Sequence, residues 1–217
     1  MPVITISREY GSLGDEIGQG VAEQLSLRFV DKEVVSSAAE LAGVPEPELA
    51  EAYEKRPSFL ERFVILGKAE RYAGHMIQAI QRIAADGDVV LMGRGAQVLI
   101  EASPDVLHVR VVAPLDVRAE RIAEAEGLEW LAALAKIRQE DRTRALLHEV
   151  MFGIEWDRPQ LYDLVINTGS VSVEAAIQIV VASARAHAAH PAAERPPFQE
   201  DRHEVHEWGP FAPTTPW

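Results

Sequence analysis

The sequence predicts an α/β fold in which a central parallel sheet is flanked by helices, and three observations carry that prediction. Short apolar runs alternate along the chain with segments whose apolar residues recur at helical spacing. One run, Val89-Val90-Leu91-Met92, is apolar at every position, as a central parallel strand covered on both faces requires. The spacers are long enough for helical crossovers, which return each strand parallel to its neighbour.

Taken in order, Pro2 to Ser7 reads as a buried first strand, and a glycine cluster follows it. Glu16, Ile17, Val21, Ala22 and Leu25 then fall at helical spacing. Arg28-Phe29-Val30 is a short apolar run before Asp31-Lys32-Glu33, and Val34 to Leu41 reads as a helix that Gly43-Val44-Pro45 breaks. From Ser58 to Ala85 the apolar positions fit one or two amphipathic helices, with Gly67 and Gly74 as candidate breaks or close-packing points. Asp86-Gly87-Asp88 turns the chain into the Val89 run, and Gly93-Arg94-Gly95 follows at once. Val106 to Val112 is a further strand, Ala113-Pro114 opens a helix, and Leu128 to Val150 is helical and basic in its middle. Leu161 to Thr168 reads as the last strand and Val173 to Ala188 as the last helix.

At 217 residues, 47% of them hydrophobic, the chain is long enough for one substantial core, and one globular domain is expected over residues 1–190. From Pro191 to Trp217 the composition turns to Pro, His, Glu and scattered aromatics, which cannot build a core alone. This tail is expected to be flexible or to dock through Phe198, Trp208, Phe211 and Trp217 on its own domain or on a partner. The formal net charge of -13 disfavours nucleic acid and anionic membranes as partners. There is no cysteine, so disulfides, thiolate metal sites and a cysteine nucleophile are excluded. No segment approaches the roughly 20 apolar residues of a membrane span, so a cytoplasmic location is the default expectation.

The stretch from Ile4 to Gly14, Ile4-Thr5-Ile6-Ser7-Arg8-Glu9-Tyr10-Gly11-Ser12-Leu13-Gly14, reads as strand, glycine turn and helix start. Gly11, Ser12, Leu13 and Gly14 could aim backbone N–H groups at an anion, aided by the positive end of the following helix. The usual loop, G-x-x-x-x-G-K-[ST], ends in a lysine that reaches the terminal phosphates and a hydroxyl that holds magnesium. With Gly14 as the last glycine, Glu9 stands at the first, Asp15 at the lysine and Glu16 at the hydroxyl. Each carboxylate near a polyphosphate costs on the order of 1 to 4 kcal/mol at about 4 Å unless a metal or arginine compensates. The plainer reading is that Asp15 and Glu16 are acidic residues favoured in a first helical turn.

Five ordered blocks together resemble the cytidylate kinase-like family, a branch of the nucleoside monophosphate kinases. They are the loop above, Phe29-Val30-Asp31-Lys32-Glu33, Gly93-Arg94-Gly95, His108 to Pro114 with Arg118 and Arg121, and Tyr162 to Thr168. The resemblance implies a three-layer P-loop-type fold with helical acceptor and lid segments, and a nucleotide or small phosphate-bearing ligand. It implies ATP with Mg as donor if the chain is active. By the same resemblance Asp31 lies in the acceptor-nucleotide region and Arg94 holds the acceptor phosphate. The lid would carry Arg138, Asp141 and Arg144, which at three-residue spacing can share one helical face. Asp31 could instead cap the following helix, the lid charges could form a solvated face, and Arg118 and Arg121 could pair with Glu120, Glu124 or Glu126. No magnesium ligand or metal site is identified in the domain.

Two functions follow from these residues. The arginines, with Arg8 among them, favour transfer of the terminal phosphoryl of ATP to CMP or a related acceptor. Asp15 and Glu16 favour a catalytically silent nucleotide- or phosphate-binding regulatory module. A weaker third reading is metal binding by the tail through His203 and His206, or His187 and His190. The apolar stripe of 58–85 suits ordinary core and would also suit the face of a homo-oligomer.

Overall fold

The computed structural model of the chain describes residues 2–47 and 61–188. The tail expected from residue 191, with its histidines and aromatic anchors, lies outside the described residues.

The described strands are β1 (Val3–Arg8), β2 (Arg28–Val30), β3 (Val89–Met92), β4 (Val106–Val112) and β5 (Leu164–Asn167). They form one parallel sheet in the order β2-β3-β1-β4-β5. The described helices are α1 (Gly14–Leu25), α2 (Glu33–Ala42), α3 (Glu61–Asp86), α4 (Ala96–Leu99), α5 (Leu115–Glu126), α6 (Trp130–Phe152) and α7 (Val173–Ala188). None of them is long and apolar enough to cross a membrane.

Strand alternation divides the core in two. Val3, Val89, Leu91 and Val106 face α2 and α3, where they pack with Val34, Ala38, Met76 and Ile80. Ile4, Ile6, Val90, Met92, Val109 and Val111 face α1 and α7, against Ile17, Val21, Ala176 and Val180. Val89 to Met92 are apolar throughout because β3 is buried on both faces by these layers. The result is the three-layer P-loop-type arrangement, with the expected helical segments against the sheet.

Towards the carboxyl ends of β1 and β4 the sheet becomes polar on the face opposite α1 and α7. Thr5, Ser7, His108 and Arg110 are all buried there. Thr5 Oγ1 lies 2.7 Å from His108 Nδ1, and the Tyr162 hydroxyl donates to Ser7 Oγ at 3.2 Å. Buried polar groups persist when they are paired in this way.

Two alternatives left open by the sequence are resolved and one expectation is corrected. Gly67 and Gly74 do not interrupt α3, which runs unbroken to Asp86, since packing against α2 outweighs the propensity penalty of about 1 kcal/mol per glycine. The last strand is shorter than residues 161–168, because Pro159–Leu161 forms a 3₁₀ turn, leaving Leu164–Asn167. Asp31 does not cap α2; Lys32 occupies the cap position and no side chain caps it.

Candidate functional site

The loop between β1 and α1 closes on itself. Ser12 donates to the Glu9 carbonyl both through its N–H, at 3.2 Å, and through its hydroxyl, at 2.8 Å. Ser12 is therefore committed to the turn and does not present its own N–H to a ligand. Gly11 and Leu13 adopt left-handed backbone, with φ of 80° and 63°. Among the described residues no acceptor takes the N–H groups of Leu13, Gly14, Asp15 or Glu16. Left unpaired at the positive end of α1, they form a concave donor set of the kind that receives phosphate.

Two arginines from α5 hold this loop from behind. Arg118 donates through Nε to the Ala113 carbonyl at 2.9 Å and through Nη1 to the Tyr10 carbonyl at 3.1 Å. The same Nη1 reaches Asp141 Oδ2 at 2.5 Å, and Asp141 Oδ1 accepts from the Tyr10 N–H at 2.9 Å. Glu9 turns away from the ligand face; its Oε2 accepts from the Ala113 N–H at 3.1 Å and lies 3.5 Å from Arg118 Nε. Arg121 donates to the Thr168 carbonyl at 2.7 Å, and Thr168 Oγ1 donates to the Ser12 carbonyl at 2.8 Å. Among the described residues the partners of these arginines are Glu9, Asp141, Thr168 and backbone carbonyls, rather than the neighbouring Glu120 or Glu124.

Arg8, the last residue of β1, sits between the loop and a cavity of about 440 Å³. Its guanidinium lies 2.9 Å from Asp15 and 3.7 Å from Asp31. The side chain threads between two glycines: a Cβ on Gly14 would stand 2.5 Å from Arg8 Cβ, and one on Gly93 would stand 2.5 Å from Arg8 Nη1. Arg8 Nε is buried with no hydrogen-bond partner among the described residues. Asp15 at the lysine position is thus compensated by an arginine arriving from the neighbouring strand.

Arg8, Asp31, Arg94 and Arg144 line the same cavity, at the carboxyl ends of β1, β2 and β3 and under α6. Arg94 is held with left-handed backbone, φ 59°, between two glycines that share that conformation. A side chain bearing Cβ rarely adopts this geometry, at a cost on the order of 1 to 2 kcal/mol. Arg144 donates to the Arg8 carbonyl at 3.0 Å. Burial, then the neighbouring Arg8 cation, pushes Arg144 below the ordinary arginine value, although arginine stays charged. With both Arg8 and Arg144 lining one cavity, their two positive charges favour an anion there.

Of the other lid residues, Asp141 lies 3.8 Å from Arg144 but behind the loop rather than in the cavity, and Arg138 is exposed on α6 outside the cavity lining. The shared helical face therefore brings Asp141 and Arg144 together without Arg138. Sequence reasoning passed over Arg110, Trp156 and His148. Arg110, 3% exposed, stacks 4.2 Å over the Trp156 ring and donates to the Trp156 carbonyl at 3.0 Å. Its signal was available in the alternation of His108 and Arg110 along an otherwise apolar strand. His148 carries no such periodicity; burial, opposed by its hydrogen bond to the Arg144 carbonyl, pushes its pKa down, and Arg110 and Arg144 lower it further.

Removing Arg118 would leave Glu9 and Asp141, each about one-fifth exposed, with only the more distant cations Arg110, at 3.7 Å, and Arg144, at 3.8 Å. Arg118→Met should destabilise the protein by about 2 to 4 kcal/mol, read from urea midpoints, less than for a fully buried pair because of that exposure. His148 predicts a pH effect of defined sign. Its folded pKa lies below the unfolded value of about 6.5, so its contribution is complete above that pH and is lost as pH falls through the folded pKa. The stability difference between pH 7.5 and pH 5.5, measured by urea unfolding, should be smaller in His148→Phe than in the native chain.

Comparison with known proteins agrees with this architecture. Residues 3–170 match the sequence profile of the cytidylate kinase-like family. A cytidylate kinase of Methanopyrus kandleri is 30% identical over 190 residues, covering 83% of this chain and 92% of that protein. A segment of 97 residues, 45% of the chain, is 36% identical to a uronate isomerase of Corynebacterium glutamicum, of whose length the chain spans 18%. A solved structure of an uncharacterised protein from Eubacterium ventriosum ATCC 27560 superposes with a TM-score of 0.66 at 21% identity, over 85% of this chain and 99% of that one, a likeness of fold. With the P-loop-type sheet and the phosphate-receiving loop end, these findings describe a nucleotide-binding, kinase-like protein, and the chain belongs to the cytidylate kinase-like family.

Proposed function

We propose that this protein transfers the terminal phosphoryl group of ATP to CMP or a related phosphate-bearing acceptor. One observation carries the reading: Arg8 stands between an N–H cradle at the start of α1 and a cavity lined by Arg94, Arg144 and Asp31. The polyphosphate would lie on the N–H groups of Leu13, Gly14, Asp15 and Glu16, and the acceptor phosphate on Arg94 and Arg144. An acceptor phosphate oxygen then attacks the terminal phosphorus of ATP, the bond from that phosphorus to the bridging oxygen breaks, and ADP leaves. Such transfer needs positioning and charge stabilisation more than covalent help from the protein. Arg8 and Arg144 would supply that charge in place of the loop lysine.

Magnesium enters this scheme on the nucleotide. Among the described residues no group of three or more His, Cys, Asp or Glu could hold a metal by itself. Magnesium on a phosphate chain needs only one or two protein carboxylates, and Asp15 and Glu16 open the helix where the phosphates would sit. The contact between Arg8 and Asp15 favours a second reading, a nucleotide-binding module without turnover, because ATP would have to compete with Asp15 for Arg8.

Incubation with ATP, magnesium and CMP followed by product chromatography separates the two. CDP and ADP in equal amounts support the transferase; CMP binding without CDP supports the silent module. Arg94→Ala should weaken CMP binding by roughly 1.5 to 3 kcal/mol with the fold intact, and unchanged affinity would remove Arg94 from the site.

A further inference from the structure

Among the described residues His148 is the one histidine that lines the cavity, it is 8% exposed, and its ring lies 5.9 Å from that of Phe152 and 5.8 Å from that of Trp156. Its Nδ1 is 2.8 Å from the Arg144 carbonyl oxygen. A carbonyl only accepts, so Nδ1 carries the proton and donates. In the neutral ring Nε2 is then a bare acceptor, and it is buried with no hydrogen-bond partner among the described residues. Burial, opposed by the hydrogen bond to the Arg144 carbonyl and reinforced by the cations Arg110 and Arg144, pushes the pKa of the ring down and so favours the neutral form, in which Nε2 accepts. Native interiors rarely leave such an atom unsatisfied.

The same cavity holds the opposite deficiency, the buried Arg8 Nε donor that lacks an acceptor. A ligand that satisfies both must present an anion to Arg8 and an N–H or O–H to His148. A fully ionised phosphate has no donor, so the donor belongs to the remainder of the ligand. The apolar walls contributed by Ile77, Leu147, Met151 and Phe152 suit a flat ring system.

We propose that His148 is a specificity-determining residue whose Nε2 accepts a hydrogen bond from the nucleoside part of the acceptor monophosphate. The proposal rests on reading the cavity as an acceptor-monophosphate site. On CMP two groups supply this chemistry, the exocyclic amino group of the base and the 2′-hydroxyl of the ribose. UMP replaces the amino group by a carbonyl oxygen, and deoxy-CMP lacks the hydroxyl; either analogue leaves Nε2 unpaired if its group is the one that pairs.

The test is calorimetric titration of CMP, UMP and deoxy-CMP into the native protein, His148→Phe and His148→Gln, with nitrogen NMR of histidine-labelled native protein. The native chain should bind CMP more tightly than one of the two analogues by roughly tenfold or more. His148→Phe should abolish that preference and His148→Gln, which keeps an acceptor, should retain part of it. A lost preference over UMP identifies the base amino group as the donor, and a lost preference over deoxy-CMP identifies the hydroxyl. The Nε2 resonance should move when CMP saturates the native protein, a readout that stands even if the variants do not fold. Native preferences retained in His148→Phe, or an Nε2 resonance unmoved at saturation, would overturn the role of His148 while leaving the cavity reading intact. Failure of every monophosphate to bind the native protein would overturn both.

Discussion

Arg118 ties the phosphate loop to the rest of the molecule, and the geometry of the site depends on it. From α5 it reaches the Tyr10 carbonyl, the Ala113 carbonyl, Glu9 and Asp141 at once, joining β1, β4 and α6 through one guanidinium. A planar fork with five donors can do this where a lysine cannot. With the loop pinned from behind, Arg8 is free of that duty and projects past Gly14 and Gly93 towards the cavity. The charge lost with the loop lysine thus returns from the strand that precedes the loop. Asp15 and Asp31 hold the returning cation in place from either side.

A second polar layer supports the floor of the cavity. Arg110, Tyr162 and the Trp156 carbonyl form a buried cluster beneath α6, with Glu9 3.7 Å from Arg110. Because Glu9 faces both Arg110 and Arg118, the two layers share one carboxylate. Truncating either arginine leaves that carboxylate under-compensated, and coupling between the two positions is expected to be non-additive. Burial of this much charge is tolerable only because nearly every polar atom in it finds a partner. Arg8 Nε and His148 Nε2 depart from that pattern, and both line the cavity.

Much of the fold was legible in the sequence, because strand and helix periodicities are local signals. The runs at residues 89–92 and 106–112 lie where strands form, and the glycine cluster after Ser7 lies where the chain turns. The limits of the last strand were not legible, since Leu161-Tyr162-Asp163 is apolar enough to extend it while Pro159 initiates a 3₁₀ turn. In the site, Arg8, Asp31, Arg94 and Arg144 are each marked in the sequence, but as separate catalytic and acceptor sets with Arg138 and Asp141 among the former; that these four line one cavity is visible only in the fold. The partners of Arg118 and Arg121 were not legible either, because Glu9, Asp141 and Thr168 are distant in sequence while Glu120 and Glu124 are near. Spacing of three residues placed Arg138 beside Asp141 on paper, but the 3.6-residue turn and the packing of α6 leave Arg138 outside the cavity.

The central claim is that the loop receives a polyphosphate with Arg8 as its cation in spite of Asp15. Calorimetric titration of ATP with magnesium into the native protein and into Arg8→Met tests it most directly, with circular dichroism to establish that the variant folds. Saturable binding by the native chain, weakened roughly tenfold or more in the variant, is the predicted result. No binding by the native chain, or equal binding by the two proteins, would contradict the account.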